Sequence, residues 1–148
     1  MSKYSYSGQG FEIKTNFSFK DIETAGKPAA KKSITKLAIA IEGQAVLLSP
    51  WKEGRLRDSI TYSIEGQTSD TKGKAQAGDG VHTSLEPLTA VIGTNVEYAP
   101  YQEFGTSRQG YAQPFLRPAF DLMTGSRTKR EVSQAMNEEL RKKGIKSK

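Results

Sequence analysis

The chain has 148 residues, a net charge of +6 and a pI near 9.5, with 35% hydrophobic residues and a mean hydropathy of −0.61. That length and composition support one domain with a modest core and much surface for partners to cover. The absence of cysteine excludes disulfides and thiolate metal sites, and the longest purely apolar run, Leu37 to Ile41, is far short of a membrane span.

Residues 1–10 are polar, rich in Gly and Ser, and read as a flexible N-terminus without the apolar core of a signal peptide. A single domain is expected over 11–143, followed by a basic tail at 144–148. Phe11, Ile13, Thr15, Phe17 and Phe19 alternate with polar residues, which predicts a half-buried strand. A long helix is expected from Pro28 to Leu48. Pro28 suits a first helical turn, and Ile34, Leu37, Ala38, Ile41, Ala45 and Leu48 share one face. Ser49-Pro50 ends it. Gly54 opens a turn, and Ile60, Tyr62 and Ile64 alternate as a strand.

Residues 66–84 are glycine-rich and nearly free of large apolar side chains. Leu88, Ala90 and Ile92 alternate beyond them, so a hairpin with a long, mobile tip is expected. Asn95 is placed to cap a short helix carrying Tyr98, Tyr101 and Phe104, with Gly105 at its end. Pro118 can start another helix, with Asp121 near its positive end. After Gly125-Ser126, Thr128 and Glu131 have capping-box spacing. A last helix uses Val132, Ala135, Met136 and Leu140 as a narrow stripe, and Gly144 stops it. The fold class is therefore α+β: a small antiparallel sheet with a long hairpin loop, one long helix packed on it, and short C-terminal helices.

Catalytic chemistry finds little support. His82 is the single histidine, no carboxylate pair shares a helix face, and no glycine run is followed by the Lys-Ser/Thr of a phosphate loop. No enzyme activity, cofactor or metal is expected. The information is instead concentrated between Val91 and Asp121, where six aromatic residues, three prolines and three glycines fall within 31 positions. Phe104, Phe115 and Leu116 are expected in the core. Tyr98, Tyr101 and Tyr111 are candidates for an interface, because a tyrosine hydroxyl seeks a partner. Arg55, Arg57, Arg108 and Arg117 lie around these segments and suit carboxylate pairing between subunits. Glu103 completes that set. Charge is uneven: Arg127 to Lys148 holds eight Lys/Arg and three Glu, and so five of the six net positive charges. Lys72, Lys74, Arg141, Lys142 and Lys143 are candidates for facing DNA.

Two segments, Tyr98-Ala99-Pro100-Tyr101-Gln102-Glu103-Phe104-Gly105-Thr106 and Pro114-Phe115-Leu116-Arg117-Pro118-Ala119, resemble the signature segments of a family of tailed-bacteriophage neck and tail-completion proteins. A third, Ser49 to Ile60, is similar to the family's Pro, three residues, then Gly-x-Leu-x-x-Ser-Ile. Order and spacing agree from about Lys27 to Asp121. The chain departs from the family at Trp51-Lys52-Glu53, where Val-Asp-Thr is usual, and at Gln113, where Arg is usual. Members include proteins resembling minor tail protein Z of lambda-like phages. The resemblance implies a non-enzymatic virion protein, assembled in the host bacterial cytoplasm. It would form a closed ring, commonly six-fold, at the head–tail junction or the head-proximal end of the tail. Its partners would be itself, tail-tube proteins and neck or head-completion proteins, with DNA only as cargo in the lumen and no membrane. A basic nucleic-acid-binding module and an assembly factor absent from the virion are the alternatives.

Overall fold

A computed structural model of the chain describes residues 5–8, 11–14, 19–51, 54–81, 86–108 and 110–144, with side-chain detail from residue 24 onward. The elements are β1 (Ser5–Gly8), β2 (Phe11–Lys14), α1 (Phe19–Leu48), α2 (Arg55–Ser59), β3 (Thr61–Ile64), β4 (Gln67–Thr68), β5 (Ala90–Gly93), α3 (Ala99–Phe104), α4 (Leu116–Met123) and α5 (Ser126–Lys142). The fold is α+β. Residues 15–18 of the expected first strand and His82 lie outside the described residues. The chain groups into two compact units, Met1–Ser33 with Lys129–Lys148, and Ile34–Thr128.

In the first unit β1 and β2 pair antiparallel, with Ser5 opposite Lys14 and Gly8 opposite Phe11. α1 begins nine residues before Pro28, which therefore sits inside the helix rather than in its first turn. An interior proline cannot donate to the carbonyl four residues back and costs about 3 kcal/mol. Packing overrides that local preference. Ala25, Ala29 and Ser33 recur at helical spacing and are all buried, as is Ala135 of α5. Their small side chains let two backbones approach: the Ser33 hydroxyl lies 2.9 Å from the Ala29 carbonyl and 3.4 Å from that of Glu131. Gly26 faces Met136. Lys32 pairs with Glu138, and Lys143 Nζ reaches Thr24 Oγ1 at 2.7 Å. The expected cap of α5 at Thr128 is displaced, since the helix already starts at Ser126.

The second unit holds the main core. Ile41 and Ala45 of α1 meet Leu56, Ile60, Val96, Ala99, Phe115 and Ala119, with Ile92, Tyr98, Leu116 and Met123 packed around them. Phe115 is fully buried, and such a side chain contributes about 1.5–3 kcal/mol. The sheet has the order β4-β3-β5, antiparallel throughout. Glu65 and Gly66 join β3 to β4 with positive φ at both positions, 46° and 86°. Two such residues form the tight turn whose twist matches antiparallel strands.

β3 departs from simple alternation. Ile64 is buried, but so are Thr61 and Ser63 on the other face. The cover is the long β4–β5 connection, and the buried hydroxyls are satisfied. Val81 N–H donates to Thr61 Oγ1 (2.9 Å), and Thr68 Oγ1 to Ser63 Oγ (3.2 Å). Ser59 Oγ, beside the strand, meets Leu56 O and Thr94 Oγ1 at 2.7 Å each.

Candidate assembly surface

Glu103 organises the aromatic-rich segment. It lies at the C-terminal end of α3, is buried, and points its carboxylate at the start of α4. Phe115 and Leu116 N–H donate to Oε2 at 2.8 and 3.0 Å, and Arg117 N–H donates to Oε1 at 2.9 Å. These are amide donors that a helix start otherwise leaves unpaired. Burial pushes the Glu103 pKa up, but the three N–H donors and the Arg117 charge outweigh it, and the carboxyl lies below its ordinary value. The anion at the positive end of α4 is thus Glu103 from another helix. Asp121, expected in that role, is a turn too far along.

The carboxylate couples the two segments quoted above, one on α3 and one entering α4. The chain between them is folded back tightly. Gln113 N–H donates to Gln102 O at 2.8 Å, and Gly105 N–H to Tyr101 O at 2.9 Å. Gly105 has φ 76° and ψ 177°, and a Cβ there would stand 3.2 Å from the Tyr111 carbonyl. Only glycine fits this conformation and this approach.

The result is a group of aromatics turned outward. Tyr101 is 58% exposed, Phe104 71% and Tyr111 62%. Tyr101 and Phe104 are three apart on α3 and share a face, and Tyr111 packs its backbone against Gly105 beside them. Phe104 was expected in the core and is instead the most exposed of the three, because the α3 face that packs inward carries Ala99 and Glu103. Phe115 meets the core expectation, and Leu116 lies half-buried against the cluster. Tyr98 packs against the core cluster rather than standing out.

The arginines divide. Arg55 is held within its own unit: Nε and Nη2 donate to the two oxygens of Asp79 at 2.9 and 2.8 Å, and Nη1 donates to Glu97 at 3.1 Å. A bidentate fork of this kind is strong and directional. The Arg55 partnership raises its pKa, and holds the Asp79 carboxyl low despite burial. Asp79 also accepts Gln76 N–H at 2.7 Å, and its carbonyl accepts Asn95 N–H at 2.7 Å. Asn95, expected to cap a helix, instead directs its side-chain amide to the Gly80 carbonyl. The connection expected to be a mobile tip is therefore tied down at several points. Ser69 exchanges bonds with the Tyr62 backbone, and Lys72 and Lys74 N–H donate to the Asp58 carbonyl and carboxylate.

Those last ties gather Lys72 and Lys74 beside Arg57. With Val46, Trp51, Gly54 and Asp58 they line an open cleft of about 580 Å³. Arg57 lies 5.9 Å from the Trp51 ring centre, within cation–π range. Lys72 is 3.9 Å from Glu42, whose pKa is raised by burial and drawn back by the Ser69 hydrogen bond and Lys72. Arg108 and Arg117 are exposed, in the 105–114 turn and on α4. Arg141, Lys142 and Lys143 are exposed at the end of α5, in the other unit, where Lys142 pairs with Glu139 at 2.6 Å. Among the described residues no group of three or more His, Asp or Glu is placed to hold a metal ion, and no helix is long and apolar enough to cross a membrane.

Fold and surface define a class: a small α+β protein with an outward-facing aromatic group held by a buried carboxylate and a glycine turn. Residues 14–105 match the HK97-gp10-like family, described as "Bacteriophage HK97-gp10, putative tail-component". The chain belongs to this family of phage tail components, which associates it with the virion. No curated protein and no solved structure matches it.

Proposed function

We propose that the protein is a non-enzymatic ring subunit at the head–tail junction or the head-proximal end of the tail, where it closes the tail tube and meets the neck. One observation carries this reading. Tyr101, Phe104 and Tyr111 are exposed, yet their support is fixed by a buried carboxylate and a glycine-only turn. A stable monomer has no use for a rigid exposed aromatic group; a docking surface does. Its partners are further copies of the chain and the tail-tube and neck proteins, with duplex DNA passing through the lumen.

The test is sedimentation of the wild type and of the Tyr101→Ala/Phe104→Ala double variant, alone and with tail-tube and neck proteins. The expected outcome is wild-type assembly, and loss of assembly in the variant at an unchanged melting temperature. A wild type that stays monomeric in every mixture overturns the reading. Salt-dependent binding of duplex DNA by the monomer would favour a nucleic-acid-binding module instead.

A further inference from the structure

The outward face of α4 and the basic cleft are complementary. α4 turns Ala119, Leu116 and Met123 toward the core cluster. At 100° per residue, Asp121 then stands opposite the core, with Phe120 on one flank and Leu122 on the other. All three are exposed, Phe120 to 54% and Leu122 to 60%. The helix thus offers a ridge with a carboxylate on its crest and a large apolar side chain on each slope.

The cleft offers the reverse. Val46 and Trp51 supply apolar wall, and Arg57, Lys72 and Lys74 supply three cations. Trp51 is 79% exposed and Lys72 keeps most of its side chain in solvent. The cleft's anion, Asp58, has one oxygen bound by Lys74 N–H. The ridge's cation, Arg117, lies one turn before Asp121 and is exposed. Opposite charge and apolar surface are present on both sides, in matching proportion: one carboxylate against a net positive cleft, two apolar slopes against an apolar wall.

We propose that the Phe120–Asp121–Leu122 ridge of one copy seats in the Trp51–Arg57–Lys72–Lys74 cleft of the next. Asp121 pairs with Lys72 and Lys74, and Arg117 faces Asp58. Ridge and cleft share no residue and belong to the same unit, Ile34–Thr128. Seated one copy to the next, the contact is head-to-tail, the type that closes into a ring when the rotation between copies closes. It rests on the ring reading above and names its subunit contact. Duplex DNA fits the cleft less well, since it offers phosphates but keeps its base faces stacked inside, leaving Trp51 and Val46 unmet.

Charge exchange in the full-length protein tests this. Lys74→Glu alone and Asp121→Lys alone should each weaken ring formation by at least about ten-fold, since like charges then face each other. Mixing the two variants should restore rings of alternating subunits, because every contact then joins opposite charges. The chain carrying both changes should also assemble. Ring size is read by native mass spectrometry, and melting curves confirm that each variant is folded. Single variants that assemble like the wild type overturn the contact while leaving the ring reading intact. So do single variants that fail and are not rescued by mixing. Intact rings whose Lys74→Glu form loses affinity for a 30-base-pair duplex would assign the cleft to DNA, and loss of affinity for purified tail-tube protein would assign it to that partner; either overturns the proposal. A wild type that forms no ring under any condition overturns both readings together.

Discussion

Replacing Glu103 should uncouple α4 from α3. In Glu103→Ala the Phe115 N–H, which is buried, loses its acceptor, at a cost of about 1–3 kcal/mol. The Leu116 and Arg117 N–H groups can turn to water, so their loss resembles removal of a helix cap, about 1 kcal/mol. A total of roughly 3 kcal/mol follows, and for a chain of this length each kcal/mol moves the melting temperature by about 2–4 °C. The variant should therefore melt about 6–12 °C below the wild type at pH 7. Glu103→Gln keeps an acceptor oxygen but sets an amide NH2 against a third donor, and should lose about half as much. The carboxyl's folded pKa lies below its ordinary value of 4.5. Its contribution is accordingly complete above that value and is lost as pH falls through the lower, folded value. The gap between wild type and Glu103→Gln should thus narrow on acidification below 4.5. Melting curves followed by circular dichroism at pH 7 and across the acidic range measure both effects. An alanine variant within about 2 °C of the wild type at pH 7 would refute the role given to this carboxylate.

Asp79→Ala should lower the melting temperature by several degrees and speed hydrogen exchange at the Gln76 amide, because that N–H loses its carboxylate acceptor and Arg55 its bidentate partner; unchanged exchange there would contradict the tie. Wild-type stability should also fall in strong acid, as Asp79 takes up a proton below its ordinary value of 3.8. Gly105→Ala should destabilise by about 2 kcal/mol or more and shift the Tyr111 resonances, since φ is positive and the new Cβ meets the Tyr111 carbonyl; a neutral effect would show that the turn can relax. Truncation after Leu140 should change the melting temperature little, because what it removes are surface contacts, the Lys142–Glu139 pair and the Lys143–Thr24 hydrogen bond. It should also flatten the salt dependence of association; a large fall in melting temperature would show the tail to be structural.

Much of the architecture was legible from period and punctuation. The second half of α1, β3, β5, the glycine stop at Gly105 and the α4 start near Pro118 all follow from local pattern. What escaped was set by distant partners. The first turns of α1 carry no strong local signal, and the proline within them argues against a helix; the buried Ala25, Ala29 and Ala135 decide otherwise. The β4–β5 connection reads as mobile because its side chains are small and polar. Its anchors are backbone amides and two carboxylates, Asp58 and Asp79, whose partners Lys74 and Arg55 lie 16 and 24 positions away. Of the surface candidates, Tyr101 and Tyr111 are exposed, whereas Glu103 and Arg55 are engaged inside their unit. The two quoted segments did contain the signal for Glu103: a carboxylate at the end of one and a run of free helix-start amides in the other.

The ties within residues 54–117 are short in sequence. Arg55 reaches Glu97 across 42 positions, and Glu103 reaches Arg117 across only 14. The α1–α5 contacts are long: Ser33 to Glu131 spans 98 positions, Lys32 to Glu138 spans 106 and Thr24 to Lys143 spans 119. Closing a loop costs more entropy as it lengthens, and contacts distant in sequence form late. On a translating ribosome the clamp at Glu103 can close soon after Arg117 emerges, while Lys143, the partner of Thr24, is still inside the exit tunnel. The aromatic surface would then be complete before the chain's two ends have met. Pulse-labelled hydrogen exchange during refolding should accordingly protect the Phe115 and Lys74 amides ahead of the α5 amides, and the reverse order would show that the long contacts nucleate the fold.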